Sequence, residues 1–281
     1  MTFIVPARLI SGAAAAVACV LPLQVMAQDA SPWIKDTYSS VRLIAGSRSG
    51  NVLMGGIGFQ LEPGWKTYWR TPGDSGVPPR ISFAKSENVE SVTILWPVPS
   101  KFPDGAGGIS FGYKKQVLLP LRIIAKSSDK PVMLRAAISY AVCDKICVPV
   151  EANAELGFMS VASTEDNAIA AALDTVPKPA RIGDVTPVAI KDVRRDGKAV
   201  LVDVVADDKA PSGKEVELFA EGPTLDWALP VPKLIKRDAG GLLHFSFDLD
   251  GLPPGASADG AVLKLTVAGP GGAYEVSAPL K

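Results

Sequence analysis

Short apolar runs, each ended by Gly, Pro, Ser, Asn or Asp, recur through residues 31–160. They include Val41–Ile44, Asn51–Met54, Gly58–Leu61, Val92–Trp96, Val117–Ile124 and Val132–Tyr140. Their β-branched and aliphatic content, with turn residues at both ends, predicts short strands. Leu134–Tyr140 partly alternates apolar and polar residues, as a half-buried strand does. Strands at this spacing predict an antiparallel sandwich. Residues 163–175 break the pattern. Ser163-Thr164-Glu165-Asp166 can cap a helix start, and Ala168–Leu173 favours helix until Val176-Pro177-Lys178-Pro179 ends it. Strand-like runs then resume at Ala199–Val205, Glu215–Phe219, Leu242–Leu249, Ala261–Val267 and Tyr274–Val276. The expected fold is all-β, with two immunoglobulin-like β-sandwich domains, residues 28–162 and 183–281, joined by a short helix and linker at 163–182.

The first 27 residues read differently. Arg8 precedes an apolar run, Leu9–Leu23, and Val25-Met26-Ala27 offers a small-residue cleavage site before Gln28. This is the pattern of a secretory signal cleaved after Ala27. A retained anchor is disfavoured by Pro22 and the cleavage site, and Ala16-Val17-Ala18-Cys19 lacks the large aliphatic residue that opens a lipoprotein box. No later segment is long and apolar enough to span a bilayer.

Composition then removes some function classes. The chain of 281 residues carries 29 basic and 29 acidic residues, so it lacks the basic excess of a nucleic-acid binder. Its 26 Gly and 24 Pro suit many turns between short strands. Of three cysteines, Cys19 leaves with the signal. Cys143 and Cys147 remain, and an isolated close pair in an exported protein is expected to form one disulfide.

That pair lies in Tyr140-Ala141-Val142-Cys143-Asp144-Lys145-Ile146-Cys147-Val148-Pro149, where strand, turn and strand would bring the sulfurs together. As a staple it would contribute only about 2 kcal/mol, because the loop is short. A domain of about 130 residues has enough core without it. Strained or exposed disulfides are the labile ones. Lys145 would lower a neighbouring thiol pKa and Asp144 would raise it. The residues alone leave a redox pair and a structural staple both open. Cu(I) handling by the two thiolates is a third reading. A structural zinc site needs four ligands and finds two. No other cofactor is implied. Met133 and Met159 lie in apolar strand-like runs and read as core. His244 lies on the polar face of an alternating strand and reads as a surface residue. Asp104–Gly108 lacks the Lys-Ser/Thr ending of a phosphate loop and reads as a flexible loop. In the aromatic stretch 63–70, Trp65, Tyr68 and Trp69 read first as core and second as a partner-binding surface.

Several motifs in order resemble one family. They are Gly64-Trp65-Lys66-Thr67-Tyr68-Trp69-Arg70 with Pro72-Gly73-Asp74-Ser75-Gly76, then Trp96-Pro97, Gly112-Tyr113, Val117–Pro120, and Tyr140 through Cys143 to Cys147 and Pro149. Together they resemble the N-terminal periplasmic domain of DsbD/ScsB-type thiol:disulfide interchange proteins, over roughly residues 35–160. The resemblance implies an immunoglobulin-like sandwich whose cysteine pair, here Cys143 and Cys147 with Tyr140 beside it, takes electrons from a membrane-embedded thiol reductase. It implies periplasmic thioredoxin-fold proteins as the recipients. Residues 183–281 look like the extra domain of the ScsB branch. Three departures stand out. The familiar DsbD pair is more widely spaced. Its cap loop carries a bulky aromatic where Asp104–Gly108 has only small residues, leaving Phe102 or Phe111 as substitutes. The chain ends after the second sandwich, so a membrane partner would be a separate protein.

Overall fold

The structure, a computed structural model, describes residues 1, 28–158, 162–206 and 215–281. The expected export segment, and Met159 with it, falls outside these residues. Eleven strands precede the helix: β1 (Ile34–Lys35), β2 (Ser39–Ser49), β3 (Val52–Leu61), β4 (Lys66–Gly73), β5 (Arg80–Ser82), β6 (Val89–Ile94), β7 (Ser100–Pro103), β8 (Ile109–Lys114), β9 (Gln116–Ala125), β10 (Val132–Cys143) and β11 (Cys147–Phe158). They form one sheet in the order β1-β2-β3-β9-β6 and another in the order β11-β10-β4-β8-β7, with β5 on β10. The sheets share a core that includes Leu43, Ile57, Leu121 and Leu134, each buried completely. Alternation decides which side chains enter it. Along β10, Val132, Leu134, Ala136, Ile138 and Tyr140 all face inward.

The runs at 51–54 and 58–61 are one strand, β3. Gly55 and Gly56 read as a break from sequence. Here they make room instead: a Cβ on Gly55 would meet the Phe158 ring at 2.8 Å, and one on Gly56 would meet Leu118 at 2.6 Å.

Helix α1 (Asp166–Leu173) buries Ile169 against Gly46 of β2. Its start is capped by the Ser163–Asp166 stretch that the sequence suggested: Ser163 Oγ accepts the Glu165 N–H at 3.0 Å and the Ser163 N–H donates to Asp166 Oδ2 at 3.1 Å. Glu165 occupies the cap without a side-chain bond. Ser163 Oγ also donates to the Ala45 carbonyl at 2.6 Å, and the Ser47 N–H donates to Asp166 Oδ1 at 2.7 Å, so both pin the helix start to β2.

Beyond the helix lie β12 (Lys178–Pro179), β13 (Val188–Asp196), β14 (Ala199–Ala206), β15 (Glu217–Glu221), β16 (Lys233–Arg237), β17 (Leu243–Asp248), β18 (Val262–Gly269) and β19 (Gly272–Pro279). They form two four-stranded sheets, β12-β19-β18-β15 and β13-β14-β17-β16, around a second core that includes Val202, Leu218 and Leu265. Among the described residues the fold is all-β with one short helix. Strands β13 and β16 were not read from sequence. Every residue of β16 is exposed, so it carries no inward stripe to recognise. Phe219 of β15 belongs to the first core, not the second.

Candidate functional site

β10 and β11 pair in unbroken antiparallel register from Val132↔Phe158 to Cys143↔Cys147. Twelve cross-strand pairs therefore hold the two cysteines opposite each other, with Cα atoms 4.2 Å apart and the sulfurs joined in a disulfide. Asp144, Lys145 and Ile146 form the exposed tip. The Asp144 N–H donates to the Ile146 carbonyl at 3.1 Å, and Ile146 is 64% exposed. Pro149 is exposed and pairs with Ala141. The two sulfur-bearing residues are not equivalent. Cys143 is only 1% exposed, whereas Cys147 is an exposed residue.

The group over the sulfurs is Tyr68. Its hydroxyl donates to Cys143 Sγ at 3.0 Å and lies 3.4 Å from Cys147 Sγ. Strand pairing puts it there. Lys66 pairs with Cys143 and Thr67 with Val142, and Thr67 Oγ1 donates to the Ala141 carbonyl at 2.9 Å. Two glycines make space here, Gly112 for the β4 backbone and Gly76 for the ring. Gly112 is the register partner of Tyr68, and a Cβ there would run into the Thr67 carbonyl oxygen. Gly76 adopts φ +127°, and a Cβ there would strike the Tyr68 ring. Tyr68, Ala141 and Cys143 form a small buried cluster of their own. Burial pushes the Tyr68 hydroxyl above its ordinary pKa, and the nearby Asp104 charge adds to the effect. Tyr68 therefore remains a neutral O–H donor at neutral pH.

Asp104 orders the loop that was read as flexible. Its Oδ1 accepts the N–H groups of Ala106 and Gly108 at 2.8 and 2.9 Å. The Ala106 bond is the main reason its carboxyl is held below the usual range; the Gly108 bond helps and burial opposes them.

Some expected residues stand elsewhere. Tyr140 does not lie beside the disulfide. Alternation turns it and Val142 into the core, away from the face shared by Ala141 and Cys143. Its hydroxyl bonds Ser39 at 2.8 Å and its ring meets Phe59 edge-on. Trp69 is 0% exposed and Tyr68 4% exposed, so neither offers a partner surface. Trp65 is half-buried and stacks on Tyr38 at 3.8 Å. Phe111 points into the core against Trp69 and Phe219, and Phe102 lies beneath the ammonium groups of Lys66 and Lys114. His244 is half-buried, with Nδ1 2.7 Å from Asp203 Oδ1. The sequence did not single out Tyr68 as the tyrosine at the pair. The signal was present, because alternation along Lys66-Thr67-Tyr68-Trp69 forces Tyr68 and Trp69 onto opposite faces.

Among the described residues, no group of three or more His, Cys, Asp or Glu is placed to hold a metal ion, and no helix is long and apolar enough to cross a membrane.

An all-β architecture with a disulfide closing a hairpin tip, one cysteine exposed and the other buried, and a buried hydroxyl beside both sulfurs, defines a candidate thiol-exchange module. Residues 41–158 match the family described as thiol:disulfide interchange protein DsbD, N-terminal. Among solved structures, the chain is similar to the N-terminal periplasmic domain of ScsB from Proteus mirabilis. The two are 20% identical, with a TM-score of 0.70 over 90% of this chain and 98% of that one. At that identity the likeness shows the fold. A conserved domain protein from Bacillus anthracis aligns at 10% identity over 84% of this chain and 75% of its own, with a TM-score of 0.24, and carries no argument. No curated protein matches this chain in sequence.

Proposed function

We propose that this chain is a periplasmic thiol:disulfide exchange relay. It passes electrons from a membrane-embedded thiol reductase to periplasmic thioredoxin-fold proteins through Cys143 and Cys147. In this reading residues 28–162 form the exchange domain, 163–182 the helix and linker, and 183–281 a second sandwich. The family match over residues 41–158 supports the chemistry. The expected export signal and the periplasmic ScsB relative support the compartment. One observation carries the reading most directly: the exposed Cys147 is bonded to a buried Cys143 whose sulfur accepts the Tyr68 hydroxyl.

The steps follow from that asymmetry. A thiolate of the reductase attacks Cys147 Sγ. The Cys143–Cys147 bond breaks and Cys143 leaves as a thiolate, with its new charge facing the Tyr68 O–H. A hydrogen bond to a charged acceptor is worth about 1.5–3 kcal/mol, more than one to a neutral sulfur. The reductase's second thiolate then attacks its own sulfur in the mixed disulfide and releases Cys147. Two electrons have moved: the reductase dithiol has become a disulfide, and this pair a dithiol, its sulfurs taking protons according to their pKa. The same steps in reverse, with Cys147 as nucleophile, reduce an oxidised client.

A Cys143→Ser chain, expressed in cells lacking the natural protein, should fail to restore thiol reduction of client proteins. It should also accumulate a mixed disulfide through Cys147, since no resolving thiol remains. Full restoration by this variant would contradict the relay and leave a binding module with a structural disulfide.

A further inference from the structure

Strand β4 touches two things at once. Tyr68 contacts the disulfide. The next three residues are gripped by the second set of sheets. Trp69, wholly buried, meets Phe219 of β15 edge-on at 5.5 Å. Arg70 donates through Nε and Nη2 to both carboxylate oxygens of Glu221 at 2.8 and 2.7 Å, and through Nη2 to Glu275 at 2.6 Å. Thr71 Oγ1 donates to Glu221 as well, at 2.9 Å. The Arg70 guanidinium also lies 4.7 Å from the Trp69 ring.

The partner strand is built for this contact. Glu217, Phe219 and Glu221 share one face of β15, while Leu218 and Ala220 face the second core. All three outward residues reach the first set of sheets. Glu217 pairs with Lys101 at 3.6 Å, Phe219 enters the first core, and Glu221 takes Arg70. Lys101 also stands over the Phe219 ring at 5.6 Å.

The grip falls where the backbone ladder lets go. β4 pairs with β10 only at Lys66 and Thr67. It pairs with β8 from Lys66 to Tyr68, and then again only at Gly73. Among the described residues, Trp69 to Pro72 have no register partner in either ladder. Side chains on β15 therefore hold the segment that immediately follows Tyr68. A planar bidentate Arg–carboxylate pair fixes orientation as well as distance. A buried ion pair adds little net stability, and its geometric constraint is the larger effect.

We propose that β15 is a positioning element for the redox pair, with Glu221 acting through Arg70, and Phe219 through Trp69, to set the Tyr68 hydroxyl against Cys143 Sγ. The second set of sheets thereby tunes thiol exchange at a site it does not touch. This rests on the exchange reading above.

The test uses the whole mature chain with Glu221→Gln, which keeps shape and removes the charge facing Arg70. Two quantities are read: the rate at which dithiothreitol reduces the disulfide, and the alkaline titration of Tyr68, taken as the absorbance difference from the matching Tyr68→Phe chain. Substitutions along a coupled network change coupling by roughly two- to thirtyfold. The expected result is a reduction rate lowered within that range, a displaced Tyr68 titration, and no rate effect of Glu221→Gln when Tyr68 is already Phe. A purely structural role would lower the melting temperature and leave both readouts unchanged, or slow reduction equally with and without the hydroxyl; either result overturns the proposal. If Glu221→Gln does not fold, Arg70→Lys keeps the charge, loses the bidentate pair and is read the same way. If the wild-type disulfide resists every thiol buffer, the exchange reading fails, and the Tyr68 titration still decides whether β15 positions the hydroxyl.

Discussion

Replacing Tyr68 by Phe removes one oxygen from the site and leaves the ring that fills the space beside Gly76 and Ala141. The lost group donates to Cys143 Sγ at 3.0 Å in the oxidised protein. To a neutral sulfur such a bond is worth about 0.5–1.5 kcal/mol, and to a thiolate about 1.5–3 kcal/mol. The differential, about 1.4 kcal/mol, favours the reduced form with Cys143 ionised. Its removal should raise the Cys143 thiol pKa by about one unit. It should make the reduction potential more negative by about 30 mV wherever that thiolate is populated. Reduction by dithiothreitol should slow by up to about tenfold, because the leaving sulfur loses its donor. Equilibration with thiol buffers gives the potential, and absorbance of the thiolate against pH gives the pKa. An unchanged potential together with an unchanged Cys143 pKa would refute the reasoning and reduce Tyr68 to a packing residue.

Four further outcomes follow from the same geometry. Cys147 in a Cys143→Ser chain should react with an aromatic disulfide reagent on the order of a hundredfold faster than Cys143 in a Cys147→Ser chain, since the latter thiol must be uncovered first; stopped-flow absorbance measures both. Leu134→Ala, in the sealed core, should cost about 2–5 kcal/mol in urea unfolding while leaving the potential of the pair in place. Gly112→Ala should destabilise the fold and slow exchange together, because its methyl meets the Thr67 carbonyl next to Tyr68. Burial raises the hydroxyl pKa values of Tyr68, Tyr113 and Tyr140 above 10.0. A raised folded pKa favours the protonated form, so this contribution is complete below about pH 10 and is lost as pH rises through the folded values. The urea midpoint should therefore fall above pH 10, and Tyr113→Phe should lessen the fall.

Much of this was legible in the chain. Period-two alternation and turn residues revealed most long strands, and the cysteine spacing revealed the hairpin, because both depend on neighbours in sequence. Three things depended on neighbours in space. Gly55 and Gly56 read as a break because the side chains that need their room, Phe158 and Leu118, come from distant strands. The family resemblance points to Tyr140, three residues from Cys143, whereas pairing of β4 with β10 brings Tyr68 to the sulfurs from 75 positions away. The Glu215–Phe219 run reads as one more strand, which the fold places as β15. Only the assembled fold shows that its polar side meets Lys101 and Arg70 in place of water.

The account turns on whether the Cys143–Cys147 disulfide trades electrons, and its reduction potential tests that most directly. The mature protein would be equilibrated with thiol buffers and the free thiols of the pair counted at each poise. A potential between about −120 and −270 mV, the range of exchange proteins, is the predicted result. A potential below about −300 mV would mark a structural disulfide and contradict the relay.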